Sequence, residues 1–264
     1  MTQPSEKLVE IVKERYGRIA AQTGSSSCCE PTCCASSEEL GYRENDLAVV
    51  PAEADLGLGC GAPIEPLALR PGETVLDLGS GAGIDVFLAA RLVGPEGRAI
   101  GVDMTPEMLS RARANAVKGG YENVEFREGR LEALPVAEGT VDAVTSNCVI
   151  NLVPDKEVVF REIHRVLKPG GRLVISDIVL DGKLPEEIEK SVLAYVGCVS
   201  GALLRDRYFE LARRAGLAEI EILKDVDFLA AAGQEETFGQ VEEVRGKVRS
   251  ITFRARKPSR DDHP

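Results

Sequence analysis

Thr74-Val75-Leu76-Asp77-Leu78-Gly79-Ser80-Gly81-Ala82-Gly83-Ile84-Asp85-Val86-Phe87-Leu88 joins two apolar runs through a glycine loop. Thr74 to Leu78 has the length of a short buried strand, and Ile84 to Leu92 has helical spacing. The glycines between them permit positive φ and let a ligand come close to the backbone. The same rhythm continues with a strand over Ala99 to Val102, a helix over Pro106 to Lys118 and a strand over Val124 to Arg127. Val141 to Ser146 is the fourth strand, Lys156 to Leu167 a helix that Lys168-Pro169-Gly170-Gly171 ends, and Arg172 to Ser176 the fifth strand. Strands alternating with helices predict a parallel sheet covered on both faces, and right-handed crossovers make it a doubly wound α/β fold.

Outside this stretch the pattern changes. Beyond Asp177, helices are expected around 185–199 and 206–215, then strand character over Glu219 to Leu223 and Ile251 to Arg256, with the segment between those two read as a cap on the sheet. Upstream, residues 5–21 place Leu8, Ile11, Val12, Tyr16, Ile19 and Ala20 at helical spacing. A loop of turn residues carrying Cys28, Cys29, Cys33 and Cys34 follows, and the prolines and small residues of 38–70 read as an irregular connection with one short helix. The expected division is therefore 1–69 for the N-terminal helix and cysteine-rich loop, 70–180 for the core, 181–257 for a substrate region that completes the sheet, and 258–264 for a disordered tail.

Composition narrows the chemistry. The 264 residues carry 32 Lys and Arg against 43 Asp and Glu, a formal charge of −11, which is the wrong sign for a phosphate-backbone binder. Nucleic acid is not the expected partner. No apolar run reaches the roughly 18 residues of a membrane span and the N-terminus lacks a signal-peptide pattern, so a cytoplasmic location without membrane contact is expected. There are seven Cys and only two His, one of them His263. A histidine-based zinc site or a Ser-His-Asp triad is thereby disfavoured, and the chemistry falls to sulfur, carboxylates or a bound cofactor.

The glycine loop has a carboxylate immediately upstream, Asp77, and a second, Asp103, ends the next strand at a spacing suited to ribose hydroxyls. A carboxylate beside the loop suits a cationic ligand better than a diphosphate. Asn147, just past the fourth strand, falls at the carboxyl edge where such sheets hold ligands, or is a solvated loop amide. The order Asp77-Leu78-Gly79-Ser80-Gly81-Ala82-Gly83, Gly101-Val102-Asp103-Met104, Leu134-Pro135, Asp142-Ala143-Val144 and Leu167 to Gly171 resembles the class I S-adenosylmethionine-dependent methyltransferases. That resemblance implies a Rossmann-like seven-stranded sheet. It also implies that Gly79, Gly81 and Gly83 line the methionine end of S-adenosylmethionine, that Asp77 reaches it, that Asp103 holds the ribose and that Met104 packs on adenine.

Seven thiols in a cytosolic chain are buried filler, soft-ion ligands or reactive groups. Cys148 follows the fourth strand at the sheet edge, and Cys60 lies in a glycine-rich loop whose lack of bulk is expected to leave the sulfur accessible. Cys198 sits between small residues in the expected cap. Three thiols from three segments can converge on one point, where trigonal sulfur coordination selects a soft, thiophilic centre.

The segments Ala54-Asp55-Leu56-Gly57-Leu58-Gly59-Cys60-Gly61, Ser146-Asn147-Cys148-Val149-Ile150-Asn151-Leu152 and Tyr195-Val196-Gly197-Cys198-Val199-Ser200-Gly201-Ala202 resemble the arsenite methyltransferases. The resemblance implies methyl transfer from S-adenosylmethionine to thiol-bound trivalent arsenic, with Cys148 and Cys198 capturing arsenite, Cys60 as the third, catalytic thiol, and a C-terminal arsenic-binding cap. It further implies a small-molecule arsenic substrate carried as a thiol conjugate. A redox thiol is implied among Cys28, Cys29, Cys33 and Cys34, reset by a disulfide reductant of the thioredoxin or glutathione type. Methylation of a carbon or oxygen acceptor such as a quinone, and metalloid binding without catalysis, are the alternatives to that activity.

Overall fold

A computed structural model describes residues 4–21, 36–189, 195, 198–228, 244 and 246–259. Seven strands form one sheet: β1 (Thr74–Leu78), β2 (Arg98–Asp103), β3 (Val124–Glu128), β4 (Val141–Asn147), β5 (Leu167–Leu180), β6 (Ala218–Asp227) and β7 (Val248–Arg256), in the order β3-β2-β1-β4-β5-β7-β6. β1 to β5 pair in parallel, and the order reverses between β1 and β4, which opens a ligand crevice at the carboxyl ends. The five strands read from the alternation are parallel as expected, and the sheet becomes mixed at its far edge. β7 runs antiparallel to both neighbours.

Burial on both faces explains the continuous apolar strands. In β1, Val75 enters one core, with Phe87, Val93 and Leu109, while Leu76 and Leu78 enter the other, with Phe160, Ile163 and Phe253. The first core lies under α2 (Ile84–Val93) and α3 (Pro106–Gly119), the second under α4 (Lys156–Val166) and α5 (Arg205–Arg214). Each fully buried Leu or Phe in these layers contributes about 1.5–3 kcal/mol. Tyr208 of α5 meets Phe160, Phe209 and Phe253 edge to face, which fixes its ring and aims its hydroxyl toward the end of β5.

Lys168 to Gly171 does not end a helix in a loop. β5 already begins at Leu167, and its pairing with β4 slips between Val141 and Ala143, so the extra residues are absorbed as a bulge. Asp142 pins that bulge by accepting from Lys168 Nζ at 2.7 and 2.8 Å. The N-terminal helix, Pro4–Ala21, packs across α3 and covers the crevice from above. Residues 36–70 hold four short helical turns where one was expected. Of the expected helix over 185–199, Glu186–Glu189 is helical, and 190–194, 196 and 197 lie outside the described residues. The expected cap lies largely outside them too, since β6 runs on to Asp227 and residues 229–243 are not described. The terminal residues 260–264 are likewise outside. Among the described residues, no helix is long and apolar enough to cross a membrane.

Candidate functional site

The crevice opens into a cleft whose empty space, open mouth included, is about 1130 Å³. Its floor is the glycine loop. Gly79, Gly81 and Gly83 take φ of +67°, +51° and +101°, a region that L side chains enter at a cost. A Cβ on Gly79 would stand 2.5 Å from a methyl of Val149, so the loop also needs glycine for space. Asp103 ties the loop to β2 by accepting from the Gly81 N–H at 2.9 Å and from the Thr105 N–H at 2.8 Å.

Three carboxylates, Asp77, Asp85 and Asp103, face this cleft, and all three are buried. Burial first, then the charges of Asp85 and Asp103, pushes Asp77 well above the usual carboxylate range. Burial raises Asp85 to about 7, against the hydrogen bond from Tyr42 that holds it down. Burial also raises Asp103, opposed by the backbone N–H groups it accepts. Like charges crowded in low dielectric are relieved by a cation. The buried Ser80 Oγ lacks a partner among the described residues, which leaves a hydroxyl free for a polar ligand. Met104 and Met108 line the wall beside Asp103.

The other end of the cleft is sulfur. β4 ends at Asn147, and Cys148 follows in a left-handed conformation, φ +59°, its N–H donating to Ser176 O at 2.8 Å. Cys198 is left-handed as well, φ +65°, and its thiol donates to Cys148 O at 2.8 Å. The sulfurs of Cys60 and Cys148 and a carboxylate oxygen of Asp177 all lie within 4.8 Å of one another. The Cys198 thiol, bonded to the Cys148 carbonyl, stands beside this pair. The bond with Cys198 pulls the Cys148 thiol down, but the bond with Cys60, burial and the charge of Asp177 carry it well above the ordinary thiol range. Its bond with Cys148 and then burial raise Cys198 in the same way.

Cys60 is buried and not accessible as expected, because its loop lies flat on the sheet end. Its N–H donates to Asn147 Oδ1 at 2.9 Å, its carbonyl accepts from Ser250 Oγ at 2.6 Å, and Gly61 O accepts from Asn147 Nδ2 at 2.6 Å. A Cβ on Gly61 would sit 2.5 Å from Ser176 Oγ, so only glycine allows this approach. Asn147 is thus no solvated amide; it lines the cleft and clamps the Cys60 loop.

Four polar residues at the site escaped sequence reading. Asp177 accepts from Asn151 Nδ2, Ile178 N–H and Tyr208 Oη, and burial raises it to about 7 despite them. Lys156 is buried nearby, lowered to about 8 by burial. Tyr42 and Asp85 form the remaining pair. The signal for Asp177 is a lone carboxylate within Val174-Ile175-Ser176-Asp177-Ile178-Val179, and for Asp85 a carboxylate in the first turn after the glycine loop. Cys28, Cys29, Cys33 and Cys34 lie outside the described residues.

Residues 69–216 match the family described as a methyltransferase domain. Over 97% of this chain and 68% of the relative, the sequence is 45% identical to the arsenite methyltransferase of Halobacterium salinarum. The chain belongs to the arsenite methyltransferase family. A second member, from Aquipseudomonas alcaligenes, is 40% identical over 82% of this chain, which spans 64% of that relative's length. The family's fold is found in a solved structure as well: an arsenic(III) S-adenosylmethionine methyltransferase of Chlamydomonas reinhardtii, 32% identical, aligns over 84% of this chain and 72% of its own with a TM-score of 0.64.

Proposed function

We propose that this chain transfers the methyl group of S-adenosylmethionine to trivalent arsenic held by Cys60, Cys148 and Cys198. The observation that carries the reading is that Cys148 lines the cleft opposite the glycine loop, with the Cys60 sulfur within 4.8 Å of its own and the Cys198 thiol bonded to its carbonyl. As arsenous acid enters, each thiol proton departs with one arsenic hydroxyl as water, and three sulfur–arsenic bonds replace three oxygen–arsenic bonds. Sulfur suits arsenic as a soft ligand. The trigonal thiolate set leaves the arsenic lone pair pointing away from the sulfurs, toward the cleft, so the acceptor has no proton to lose.

The cationic cofactor fits the residues present: three crowded buried carboxylates and the unpartnered Ser80 hydroxyl supply what its ammonium, ribose and sulfonium require. When bound it provides an electrophilic methyl carbon on a positively charged sulfur. Asp77 and Asp85 would neutralise its positive groups, Asp103 would hold the ribose and Met104 would pack on the adenine, with Cys148 at the opposite wall of the cleft. Catalysis of this kind is proximity and orientation. Donation of the lone pair formally takes arsenic to the pentavalent state, and two electrons return it when two thiols close to a disulfide. We assign that role to one of Cys28, Cys29, Cys33 and Cys34 together with Cys60, with an external thiol reductant of the thioredoxin or glutathione type resetting the pair.

Incubation with methyl-labelled S-adenosylmethionine and arsenite, with products separated by oxidation state, tests the reading. Labelled methylarsenicals and stoichiometric S-adenosylhomocysteine are expected; cofactor turnover that ignores arsenite defeats it. Asp77→Ala and Asp103→Ala should each weaken cofactor binding by about 1–3 kcal/mol through unpaired polar groups, with arsenite binding kept, as calorimetry on both ligands will read. Cys60→Ser should cripple methylation of inorganic arsenite yet spare monomethylarsenite, whose one carbon bond leaves room for two thiolates only. A Cys60 variant that methylates arsenite at the parent rate removes Cys60 from the ligand set.

A further inference from the structure

Asn147 and Tyr42 join the two ends of the cleft through one directed chain of hydrogen bonds. Asn147 Oδ1 accepts from Cys60 N–H, and Asn147 Nδ2 donates to Gly61 O and to Tyr42 Oη, at 2.6 and 3.0 Å. The backbone partners leave the carboxamide a single orientation, since its oxygen must face an N–H and its nitrogen a carbonyl. Tyr42 Oη is therefore an acceptor toward Asn147, and its one proton goes to Asp85 Oδ1 at 2.9 Å. Tyr42 itself is buried and arrives from the N-terminal connection, 43 residues before Asp85 and 105 before Asn147.

The bonds from Cys60 N–H to Asn147, from Asn147 to Tyr42 and from Tyr42 to Asp85 run in one sense toward a carboxylate in the cofactor cleft, and the Asn147 bond to Gly61 O is a side branch back to the loop. Bonds in such a series polarise one another, and the series is strongest when its last acceptor is ionised. A positive charge in the cleft favours the ionised form of Asp85. We propose that Tyr42 is a positioning residue that couples occupation of the cofactor cleft to arsenic capture by the third thiol, Cys60. The proposal rests on Cys60 being the third arsenic ligand. Binding of a cation beside Asp85 tightens Tyr42 on Asn147, and Asn147 then holds the Cys60 loop in its capturing position. By linkage, arsenite must tighten cofactor binding by the same factor. Monomethylarsenite, which needs only Cys148 and Cys198, stands outside the circuit.

The experiment measures dissociation constants of arsenite and of monomethylarsenite by calorimetry, with and without saturating sinefungin, a cationic cofactor analogue that transfers no methyl group. In the parent protein, sinefungin should tighten arsenite at least about fivefold, the lower end of usual coupling, and leave monomethylarsenite within about twofold. In Tyr42→Phe the arsenite coupling should fall below about twofold, with the affinity for monomethylarsenite at its parent value. Asp85→Asn, which keeps an acceptor for the Tyr42 hydroxyl but cannot ionise, should lose the coupling too and carries the test if Tyr42→Phe does not fold. Coupling retained in either variant overturns the proposal. So does a parent that methylates arsenite without any coupling, which leaves the proposed function standing. A parent that binds no arsenite at all overturns both.

Discussion

Serine at Cys148 or at Cys198 is expected to lower the methylation of every trivalent arsenical by more than about a hundredfold, the scale on which misplacement of a reacting centre acts. The exchange replaces a soft sulfur with a hard oxygen at unchanged shape, so the fold should survive while affinity for arsenic is lost. Cys148 and Cys198 each take their place from a left-handed backbone position held by neighbouring contacts, and no other thiol among the described residues can move into the vacancy. Two sulfurs are also the least that can hold a monomethylated centre. The loss therefore extends to that substrate, in contrast to Cys60→Ser. Steady-state rates with both substrates, alongside cofactor calorimetry to show an intact cleft, provide the check. A Cys148 or Cys198 variant within tenfold of the parent rate at equal cofactor affinity would refute the three-thiol site.

Asp85→Asn is expected to make the ligand-free protein more stable at pH 8 and to leave its stability near pH 4 unimproved. Burial lifts Asp85 from 3.8 to about 7 in the folded chain. The folded state thus holds a proton that the unfolded state has given up between those values, and stability falls as pH rises across that window. Above pH 7 the penalty is complete, with an upper limit of about 4 kcal/mol. An uncharged isostere removes it, while the Tyr42 hydroxyl keeps an acceptor. Urea unfolding of parent and variant at pH 4, 6 and 8 should give curves that diverge with rising pH. Parallel curves would mean that Asp85 ionises at its ordinary value. The same substitution should weaken cofactor binding, because the repulsion among Asp77, Asp85 and Asp103 is what a cationic ligand relieves.

The parallel half of the fold and the three central thiols stand in the sequence because each has a local cause. Buried strands read as short apolar runs, the glycine loop as glycines with no room for a Cβ, and β1 to β5 fall where the alternation places them. The bulge at Lys168 to Gly171 does not read this way: Pro and two Gly have turn chemistry, and only pairing with Val141 to Ala143 makes that stretch part of a strand. Orientation of β7 is likewise invisible, since parallel and antiparallel strands share one periodicity. Cys60 illustrates the limit at the site. Glycine neighbours suggest an open loop, but the glycines serve to press the loop against Ser176 and Asn147. Tyr42 has no motif, and Asp85 and Asp177 offer only a lone carboxylate in an apolar stretch. They matter through partners dozens of residues away, and only the folded chain supplies those partners.

The backbone at Cys148 and Cys198 also bears on how such a site can be taken apart. Both residues hold left-handed conformations in which a glycine is roughly 1–2 kcal/mol cheaper than a residue with a Cβ. Glycine at either place would shed that backbone cost but also remove a packed thiol, so the two effects oppose each other. Of the replacements that delete a thiol, glycine is therefore the one the backbone accepts with least strain, and it separates loss of the sulfur from distortion of the loop that carries it.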